Sequence, residues 1–267
     1  MPYLENNLLD TSLRVSLIQT SLYWENSGTN RAMLEEKIWS LEGKTDLIVL
    51  PEMFSTGFTM STNSVFETMN LHTHKWMRQM ASQTGAAITG SIIIKENHKF
   101  YNRLLWIEPN GREYTYDKKH LFRMANEHLH FTGGDKVLTV LFKGRKFRLI
   151  ICYDLRFPEW IRNHYNPKTG LDYDVLIVVA NWPKARAQAW DTLLKARAIE
   201  NHCYSIGVNR TGTDGNSVDY MGHSAIYSPK GETLAFAGTD EKILHFTLDF
   251  SALDVYRDKF PSFLDGE

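Results

Sequence analysis

Three reactive side chains each follow a short segment with the pattern of a strand. Glu52 follows Asp-Leu-Ile-Val-Leu-Pro, Lys118 follows Glu-Tyr-Thr-Tyr-Asp, and Cys152 follows Phe-Arg-Leu-Ile-Ile. Strand ends in α/β sheets form the ligand crevice, and rigid strands hold side chains from distant parts of a chain in fixed positions. We therefore expect a carboxylate, an ammonium group and a thiol to meet in one site.

Cys152 is the candidate nucleophile of this site. A thiol is a poor nucleophile until it ionises, and the segment that begins at Cys152, continuing Tyr-Asp-Leu-Arg-Phe-Pro, is predicted to start a helix. The N–H groups at a helix start favour a thiolate. The alternative is a structural role, because cysteine is a common small core residue. Position alone leaves both interpretations open.

Glu52 and Lys118 carry the groups that a cysteine nucleophile needs as partners. Glu52 could act as the general base, because a carboxylate partly removed from water becomes more basic. Lys118 could bind the oxyanion that forms when sulfur attacks an amide carbonyl, assisted by a backbone N–H beside the nucleophile. The alternatives are a helix cap or surface acid for Glu52 and a solvated basic turn, residues 118–120, for Lys118.

The segments that must position these side chains alternate between strand and helix patterns. Strands are predicted at residues 14–19, 46–50, 86–94, 147–151, 175–180 and 204–209, and helices at 30–41, 71–83, 158–164 and 185–202. Turn residues predict hairpins across 109–111 and 229–231, and 212–216 is predicted to be a surface loop. This order predicts an α/β sandwich in a single domain over residues 1–267. Residues 1–10 are candidates for disorder, and 240–267 for a C-terminal extension.

The composition favours a small-molecule partner. Among 267 residues, 30 Lys and Arg nearly balance 31 Asp and Glu, so the chain has no strong positive electrostatic field that would attract nucleic acid. No apolar run approaches the roughly 20 residues that cross a bilayer, and the N-terminus lacks the pattern of a secretory signal. The two cysteines, Cys152 and Cys203, lack the spacing of a disulfide framework or a zinc site. We expect a cytoplasmic protein that contacts neither nucleic acid nor membrane.

Motifs around the three reactive residues resemble those of the nitrilase, or carbon-nitrogen hydrolase, superfamily. Leu-Pro-Glu-Met at 50–53, Tyr-Asp-Lys-Lys-His-Leu-Phe at 116–122 and Ile-Cys-Tyr-Asp-Leu-Arg-Phe-Pro-Glu at 151–159 match its motifs in order. The resemblance runs from Val15, through Ala-Arg-Ala-Ile-Glu-Asn at 196–201, to a hairpin that ends near Ala237. Within the superfamily, the chain looks most like the bacterial omega-amidases, or 2-oxoglutaramate amidases, through residues 118–125, 152–158, 180–183 and 256–261.

The resemblance implies a fold, a set of catalytic residues and a reaction. The implied fold is an αββα sandwich, two mixed sheets flanked by helices, which pairs into a homodimer through its helices. Glu52, Lys118 and Cys152 would form a Glu-Lys-Cys triad, and the Tyr153 N–H would help to bind the oxyanion. The implied reaction hydrolyses the omega-amide of a 2-oxo dicarboxylic acid to the diacid and ammonia, through a thioester. It requires no metal and no organic cofactor.

The superfamily also places a second glutamate between the lysine and cysteine motifs, where this chain has two carboxylates. Asp135 follows Gly133-Gly134 and has the setting of a turn residue. Glu127 lies close to the lysine motif and could orient Lys118 or hydrogen-bond the substrate amide. We therefore assign the second glutamate to Glu127, with a position on a surface helix as the alternative.

Side chains near these motifs are candidates for substrate binding. Arg156, four residues after the cysteine, could bind a substrate carboxylate through its planar bidentate guanidinium. The alternative is an ion pair with Glu159 or Asp154 that only braces the turn. Phe58 and Trp182 are candidates for the pocket wall, with core packing as their alternative.

Several other interpretations fit the sequence. His128 and His130 could coordinate a metal, and His164 or His202 could serve Cys152 in a Cys-His hydrolase, although no HExxH or papain-like signature is present. A different amidase, a carbamoylase or a nitrilase of the same superfamily is an alternative to an omega-amidase. A domain that binds a metabolite without turnover is the non-enzymatic alternative.

Overall fold

Strands make up the larger part of the regular structure. The computed structural model describes residues 11–266. In chain order the strands are β1 (Ser12–Gln19), β2 (Leu47–Val49), β3 (Ala87–Glu96), β4 (Lys99–Ile107), β5 (Glu113–Asp117), β6 (Leu138–Phe142), β7 (Arg145–Ile151), β8 (Tyr165–Asn166), β9 (Gly170–Leu171), β10 (Val175–Ala180), β11 (Tyr204–Asn209), β12 (Thr211–Thr213), β13 (Asp219–Met221), β14 (Ala225–Tyr227), β15 (Thr233–Phe236) and β16 (Lys242–Asp249).

The helices lie between the strands or follow the last of them. The α-helices are α1 (Ser27–Trp39), α2 (Thr62–Val65), α3 (His72–Thr84), α4 (Glu127–His130), α5 (Pro158–Ile161), α6 (Ala187–Glu200) and α7 (Phe250–Lys259). Short 3₁₀-helices are η1 (Arg123–Ala125), η2 (Cys152–Arg156), η3 (Lys184–Arg186) and η4 (Ser262–Leu264). None of the helices described here combines the length and the apolar character that crossing a bilayer would need.

Two mixed six-stranded sheets form the centre of the structure. The first has the order β16-β1-β2-β3-β4-β5, with β1, β2 and β3 parallel and the other neighbours antiparallel. The second has the order β15-β14-β11-β10-β7-β6, with β7, β10 and β11 parallel. The two predicted hairpins are β4-β5 and β14-β15. The α/β sandwich of two mixed sheets is thus confirmed.

Apolar side chains on both faces of each sheet explain why helices cover the outer faces and the two sheets pack against each other. Leu47 and Val49 of β2 belong to the core shared with the second sheet, whereas Ile48 packs with the residues of α1 and α3. Successive strand side chains point to opposite faces, so burial of all three requires cover on both sides. On the second sheet, Gly207 of β11 lets α6 approach closely, since a Cβ there would lie 2.4 Å from Leu194 Cδ1. The order of layers is helix, sheet, sheet, helix.

One local prediction is wrong and another is confirmed only in part. The helix predicted at 158–164 ends at Ile161, and Phe157 separates it from η2 in an extended conformation. Proline disfavours helical backbone in the residue before it, and Phe157 precedes Pro158. The predicted surface loop 212–216 is confirmed in part: Gly212 and Thr213 are exposed residues of β12, and residues 214–216 lie in the turn that follows, in which Asp214 is buried.

The C-terminal part of the chain belongs to the first sheet. Residues 240–267, predicted to be an extension, contribute α7 and the strand β16, which pairs with β1 along its whole length. The prediction of disorder for residues 1–10 lies outside the described residues.

Candidate active site

Strand ends from both sheets bring the predicted reactive side chains together. Glu52 follows β2, Lys118 follows β5 and Cys152 follows β7. β5 runs in the same direction as β3 and β2, because the antiparallel steps to β4 and to β5 reverse the chain twice. Lys118 and Cys152 line one cavity of about 560 Å³, and Lys118 Nζ lies 2.9 Å from Glu52 Oε1. The arrangement therefore combines the thiol, the carboxylate and the ammonium group that nucleophilic catalysis would need.

Glu52 is a completely buried carboxylate that accepts three hydrogen bonds. Its Oε1 accepts from Asn102 Nδ2 at 2.8 Å and from Lys118 Nζ at 2.9 Å. Its Oε2 accepts from the Asn181 backbone N–H at 2.8 Å. A buried carboxylate needs such donors, because an unpaired charge in a protein interior is very costly. These contacts hold Glu52 in one orientation and rule out the alternative of a surface acid.

Lys118 lies between two buried carboxylates. Besides Glu52, its Nζ donates to Glu127 Oε1 at 3.0 Å and to Glu127 Oε2 at 2.9 Å. Glu127 Oε2 also accepts the Phe122 N–H at 2.6 Å. Glu127 begins α4 but its side chain is fully buried and does not face solvent, whereas Asp135 is exposed. The structure places Glu127 where it can orient the ammonium group of Lys118.

The charges of this group keep Lys118 protonated. Burial by itself lowers the pKa of Lys118, but attraction to Glu127 and Glu52 outweighs burial, and the net pKa is raised above its ordinary value. Burial raises the pKa of Glu127, and the charge of Glu52 acts in the same direction while Lys118 opposes it. A cationic Lys118 is the form that can stabilise a developing oxyanion.

Cys152 begins the 3₁₀-helix η2 and not an α-helix. Its φ of 45° lies in the left-handed region that residues with a Cβ rarely adopt, and such strain is common at functional sites. Burial raises the pKa of the Cys152 thiol well above its ordinary value, the charge of Glu52 adds to this, and Lys118 only partly opposes it. The structure does not support the prediction that helix amides make Cys152 a thiolate, because burial and the charge of Glu52 favour the protonated thiol. The sulfur needs a base at the moment of attack.

Tyr153 places a backbone N–H next to the sulfur. It is the second residue of η2, and the first N–H groups of a helix have no acceptor within that helix. Its ring packs at 5.0 Å from the Phe122 ring and 5.3 Å from the Phe157 ring, measured between centroids. The Tyr153 N–H therefore lies beside Cys152, and the Lys118 side chain lines the same cavity, where Glu52 and Glu127 hold its ammonium group.

The predicted binding residues all line the cavity that contains Cys152. Lys118 Nζ lies 5.1 Å from the centre of the Phe58 ring, and the Arg156 guanidinium lies 5.0 Å from the centre of the Trp182 ring. The salt bridges of the described chain include none from Arg156 to Glu159 or Asp154. The ion pair considered for Arg156 is thus not formed, and the Arg156 guanidinium lies on the cavity wall.

Asp154 connects the turn that carries the cysteine to the loop that carries the lysine. This carboxylate is completely buried, and its Oδ1 accepts the His120 N–H at 2.8 Å and lies 2.9 Å from His120 Nδ1. Its Oδ2 accepts from the Tyr116 hydroxyl at 2.6 Å and from the Ile151 N–H at 3.1 Å. Sequence patterns do not reveal this connection, because a linear motif does not show which donors a buried carboxylate serves.

The β12-β13 hairpin contributes a wall that the sequence did not predict. Asp214, Asn216, Val218 and Tyr220 line the cavity. Tyr220 donates its hydroxyl to Asp214 Oδ2 at 2.9 Å, and Asp214 Oδ1 accepts the N–H groups of Asn216 and Val218. Burial and the neighbouring Asp214 raise the pKa of Tyr220, so its hydroxyl stays protonated.

The histidines considered for other mechanisms lie elsewhere. His164 and His202 line a different cavity, and His202 Nε2 is 2.7 Å from Ser262 Oγ. Neither lines the cavity of Cys152, so the structure does not support a Cys-His pair. His128 and His130 are on α4, and across residues 11–266 no three His, Cys, Asp or Glu side chains are grouped as metal ligands.

Known proteins resemble this chain over nearly its whole length. The family model for carbon-nitrogen hydrolases matches residues 14–258. Omega-amidase YafV from Escherichia coli (strain K12) is 40% identical over 260 residues, which cover 96% of this chain and 97% of that protein. The 2-oxoglutaramate amidase from Bacillus subtilis (strain 168) is 32% identical over 254 residues, 94% of this chain and 96% of that protein.

A solved structure is similar in both sequence and fold. The crystal structure of XC1258 from Xanthomonas campestris, a CN-hydrolase superfamily protein with an arsenic adduct in the active site, superposes with a TM-score of 0.94. Its sequence is 43% identical, and the match covers 96% of this chain and 97% of that chain.

Proposed function

Because this chain belongs to the carbon-nitrogen hydrolase family, we propose that it is an omega-amidase in which Cys152 is the nucleophile. It hydrolyses the terminal carboxamide of a 2-oxo dicarboxylic acid monoamide, such as 2-oxoglutaramate or 2-oxosuccinamate, to the 2-oxo diacid and ammonia. The observation that carries the proposal is the buried group of Glu52, Lys118 and Cys152 beside one cavity. The full-length similarity to omega-amidase YafV and to a 2-oxoglutaramate amidase supports the choice of substrate.

The first half of the reaction transfers the acyl group to sulfur. Glu52 takes the thiol proton as Cys152 Sγ attacks the amide carbon, and the carbonyl oxygen becomes an oxyanion. Lys118 Nζ and the Tyr153 N–H stabilise that oxyanion. When the C–N bond breaks, Glu52 returns the proton to the leaving nitrogen, so ammonia departs and a thioester remains. Glu127 takes part by holding Lys118 in place through two contacts.

The second half of the reaction releases the acid. Glu52 is unprotonated again after ammonia leaves, so it can deprotonate a water molecule that attacks the thioester carbon. Lys118 and the Tyr153 N–H bind the second oxyanion in the same place. Collapse of this intermediate expels the Cys152 sulfur, which recovers the proton held by Glu52. One base therefore serves both steps, and the three hydrogen bonds to Glu52 keep it in position.

Arg156 is proposed to bind the substrate carboxylate. Its guanidinium lies on the cavity wall over the Trp182 ring, which leaves its in-plane N–H groups for an anion. We expect Arg156→Lys to raise the KM for 2-oxoglutaramate about 10-fold, because lysine keeps the charge but loses the bidentate contact. Steady-state kinetics measures this, with Arg162→Lys on the surface as the control. An unchanged KM would rule out the binding role of Arg156.

Asp154 is proposed to position the nucleophile relative to Lys118. Asparagine in its place would keep one acceptor oxygen and replace the other with an NH2 group. Depending on which oxygen is lost, either His120 or the pair Ile151 and Tyr116 would lose its acceptor. We expect Asp154→Asn to lower kcat about 10- to 100-fold with little change in KM, because misplacement of reacting groups slows chemistry more than binding. Asp172→Asn, on a partly exposed acid, is the control. A wild-type kcat in the Asp154 variant would contradict the positioning role.

We also propose that the protein is a homodimer that assembles through its helices and works in the cytoplasm. Ile199 of α6 and Val255 of α7 are large apolar side chains that are about half exposed in the single chain, and they support an interface on this layer. Light scattering should give twice the mass of one chain at micromolar concentration. The mass of a single chain at every concentration would refute the dimer.

A panel of substrates tests the proposed function. Ammonia release should show the highest kcat/KM with 2-oxoglutaramate or 2-oxosuccinamate, compared with simple amides, carbamoyl amino acids and nitriles. Faster turnover of a carbamoyl compound or a nitrile would assign a different activity of the superfamily. Binding of all these compounds without ammonia release would indicate a domain that does not catalyse.

A further inference from the structure

The cavity wall carries two guanidinium groups, and neither is paired with a carboxylate in the part of the chain that the structure describes. The charged side chains that line the cavity are Lys118, Arg156, Arg186 and Asp214. Lys118 is paired with two glutamates, and Asp214 accepts hydrogen bonds from its own hairpin. Over residues 11–266, neither arginine forms a salt bridge with a carboxylate. Arg156 and Arg186 are therefore the two lining cations that remain without a carboxylate partner and can pair with an anionic ligand.

Arg186 is held in the same way as Arg156, by the face of an aromatic ring. Its guanidinium lies 5.5 Å from the centre of the Phe122 ring, as that of Arg156 lies 5.0 Å from the Trp182 ring. A contact of this kind uses the face of the guanidinium and leaves its in-plane N–H donors free. One Arg186 donor is 2.6 Å from the Met124 sulfur, which is a weak acceptor.

The backbone ties Arg186 to the reacting groups. The Arg186 carbonyl accepts the Trp182 Nε1–H at 2.8 Å, so the ring under Arg156 is fixed by Arg186. The same short segment begins at Asn181, whose N–H donates to Glu52. Phe122, under the other guanidinium, donates its N–H to Glu127. Both arginines are thus anchored to the residues that surround the site of attack.

We propose that Arg186 is a specificity-determining residue that binds the anionic end of the substrate together with Arg156. This inference rests on the proposed omega-amidase function. A 2-oxo monoamide carries its carboxylate and its 2-oxo oxygen at the end opposite to the amide, which gives more acceptors than one guanidinium fork can serve. Two guanidiniums match that end of the molecule. The pair therefore selects short amides with an adjacent carboxylate and carbonyl over neutral amides of equal length.

The test compares 2-oxoglutaramate with pentanamide, a neutral amide of the same chain length. Arg186→Met keeps an unbranched side chain over Phe122 and removes the charge. We expect its KM for 2-oxoglutaramate to rise about 10- to 100-fold, because charge-assisted hydrogen bonds to the substrate are lost. The ratio of kcat/KM for 2-oxoglutaramate to that for pentanamide should fall by a similar factor. Arg186→Lys should lie between wild type and the Met variant in both quantities.

Controls separate this inference from the proposed function. Arg112→Met, on the exposed turn between β4 and β5, should retain the wild-type KM and the wild-type ratio. If the wild-type enzyme released no ammonia from 2-oxoglutaramate, the proposed function would fail. If the wild-type enzyme is active and both Arg186 variants keep its KM and ratio, only the role of Arg186 is overturned. A fall in kcat with an unchanged KM would also overturn it, since that pattern indicates a structural role.

Discussion

Replacing Cys152 with alanine should abolish ammonia release from 2-oxoglutaramate while the chain still folds. Without sulfur there is no acyl acceptor, so we expect kcat to fall about 10⁴-fold or more. Alanine has the same Cβ as cysteine, so the left-handed backbone at this position gains no new strain. Removal of one buried sulfur should cost about 1 kcal/mol of unfolding free energy. Ammonia assays give the activity, and circular dichroism with thermal unfolding gives the stability.

Cys203 provides the matched control for this variant. It is the other cysteine of the chain, is completely buried, and lies outside the cavity of Cys152. Burial raises the pKa of the Cys203 thiol to about 12, so it is not a reactive thiolate. Cys203→Ala should lose some stability and keep its turnover. Near-wild-type turnover in the Cys152 variant, or loss of turnover only in the Cys203 variant, would show that Cys152 is not the nucleophile.

Replacing Glu52 with glutamine should lower kcat/KM about 10³-fold, because the general base of both steps is lost. The raised pKa of the Cys152 thiol makes this loss severe, since a protonated sulfur cannot attack without a base. Glu108→Gln is the matched control, because Glu108 is also a buried glutamate but lies at the β4-β5 turn. A Cys-His hydrolase would keep its activity in the Glu52 variant and lose it when His164 or His202 is changed.

The same Glu52→Gln variant should make the Cys152 thiol easier to ionise although the variant loses activity. The negative charge of Glu52 contributes to the raised pKa of Cys152, so neutral glutamine should lower the pKa of the Cys152 thiol. Alkylation by iodoacetamide should then reach half its maximal rate at a lower pH than in wild type. Equal or higher alkylation pH in the variant would mean that Glu52 does not act electrostatically on the sulfur.

The centre of the fold could be predicted because its strands are continuous apolar runs. Strands β10 and β11 have the predicted bounds, and Glu52, Lys118 and Cys152 follow strand ends as expected. Such runs are distinctive, since a strand covered on both faces needs apolar side chains at every position. The family motifs then identified Glu127, which the structure places against Lys118. Local patterns and motifs therefore predicted much of the site.

Features that depend on distant pairing could not be predicted in this way. Strand β16 is half exposed and has a weak pattern, and its partner β1 lies more than two hundred residues earlier in the chain. The β12-β13 hairpin has three-residue strands, too short for a periodic signal, although it forms a wall of the cavity. The contacts of Asp154 and Arg186 likewise depend on which segments meet in space. Packing, and not local propensity, decides these parts.

Mass spectrometry of the acyl enzyme tests the role of Cys152 most directly. Wild-type protein mixed with excess 2-oxoglutaramate and quenched in acid within one turnover should gain the mass of the substrate minus ammonia. Peptide mapping should place that mass on Cys152, and the Cys152→Ala variant should show none. An acyl group on another residue would contradict the proposed thioester, and so would ammonia release without any acyl enzyme in a series of quench times.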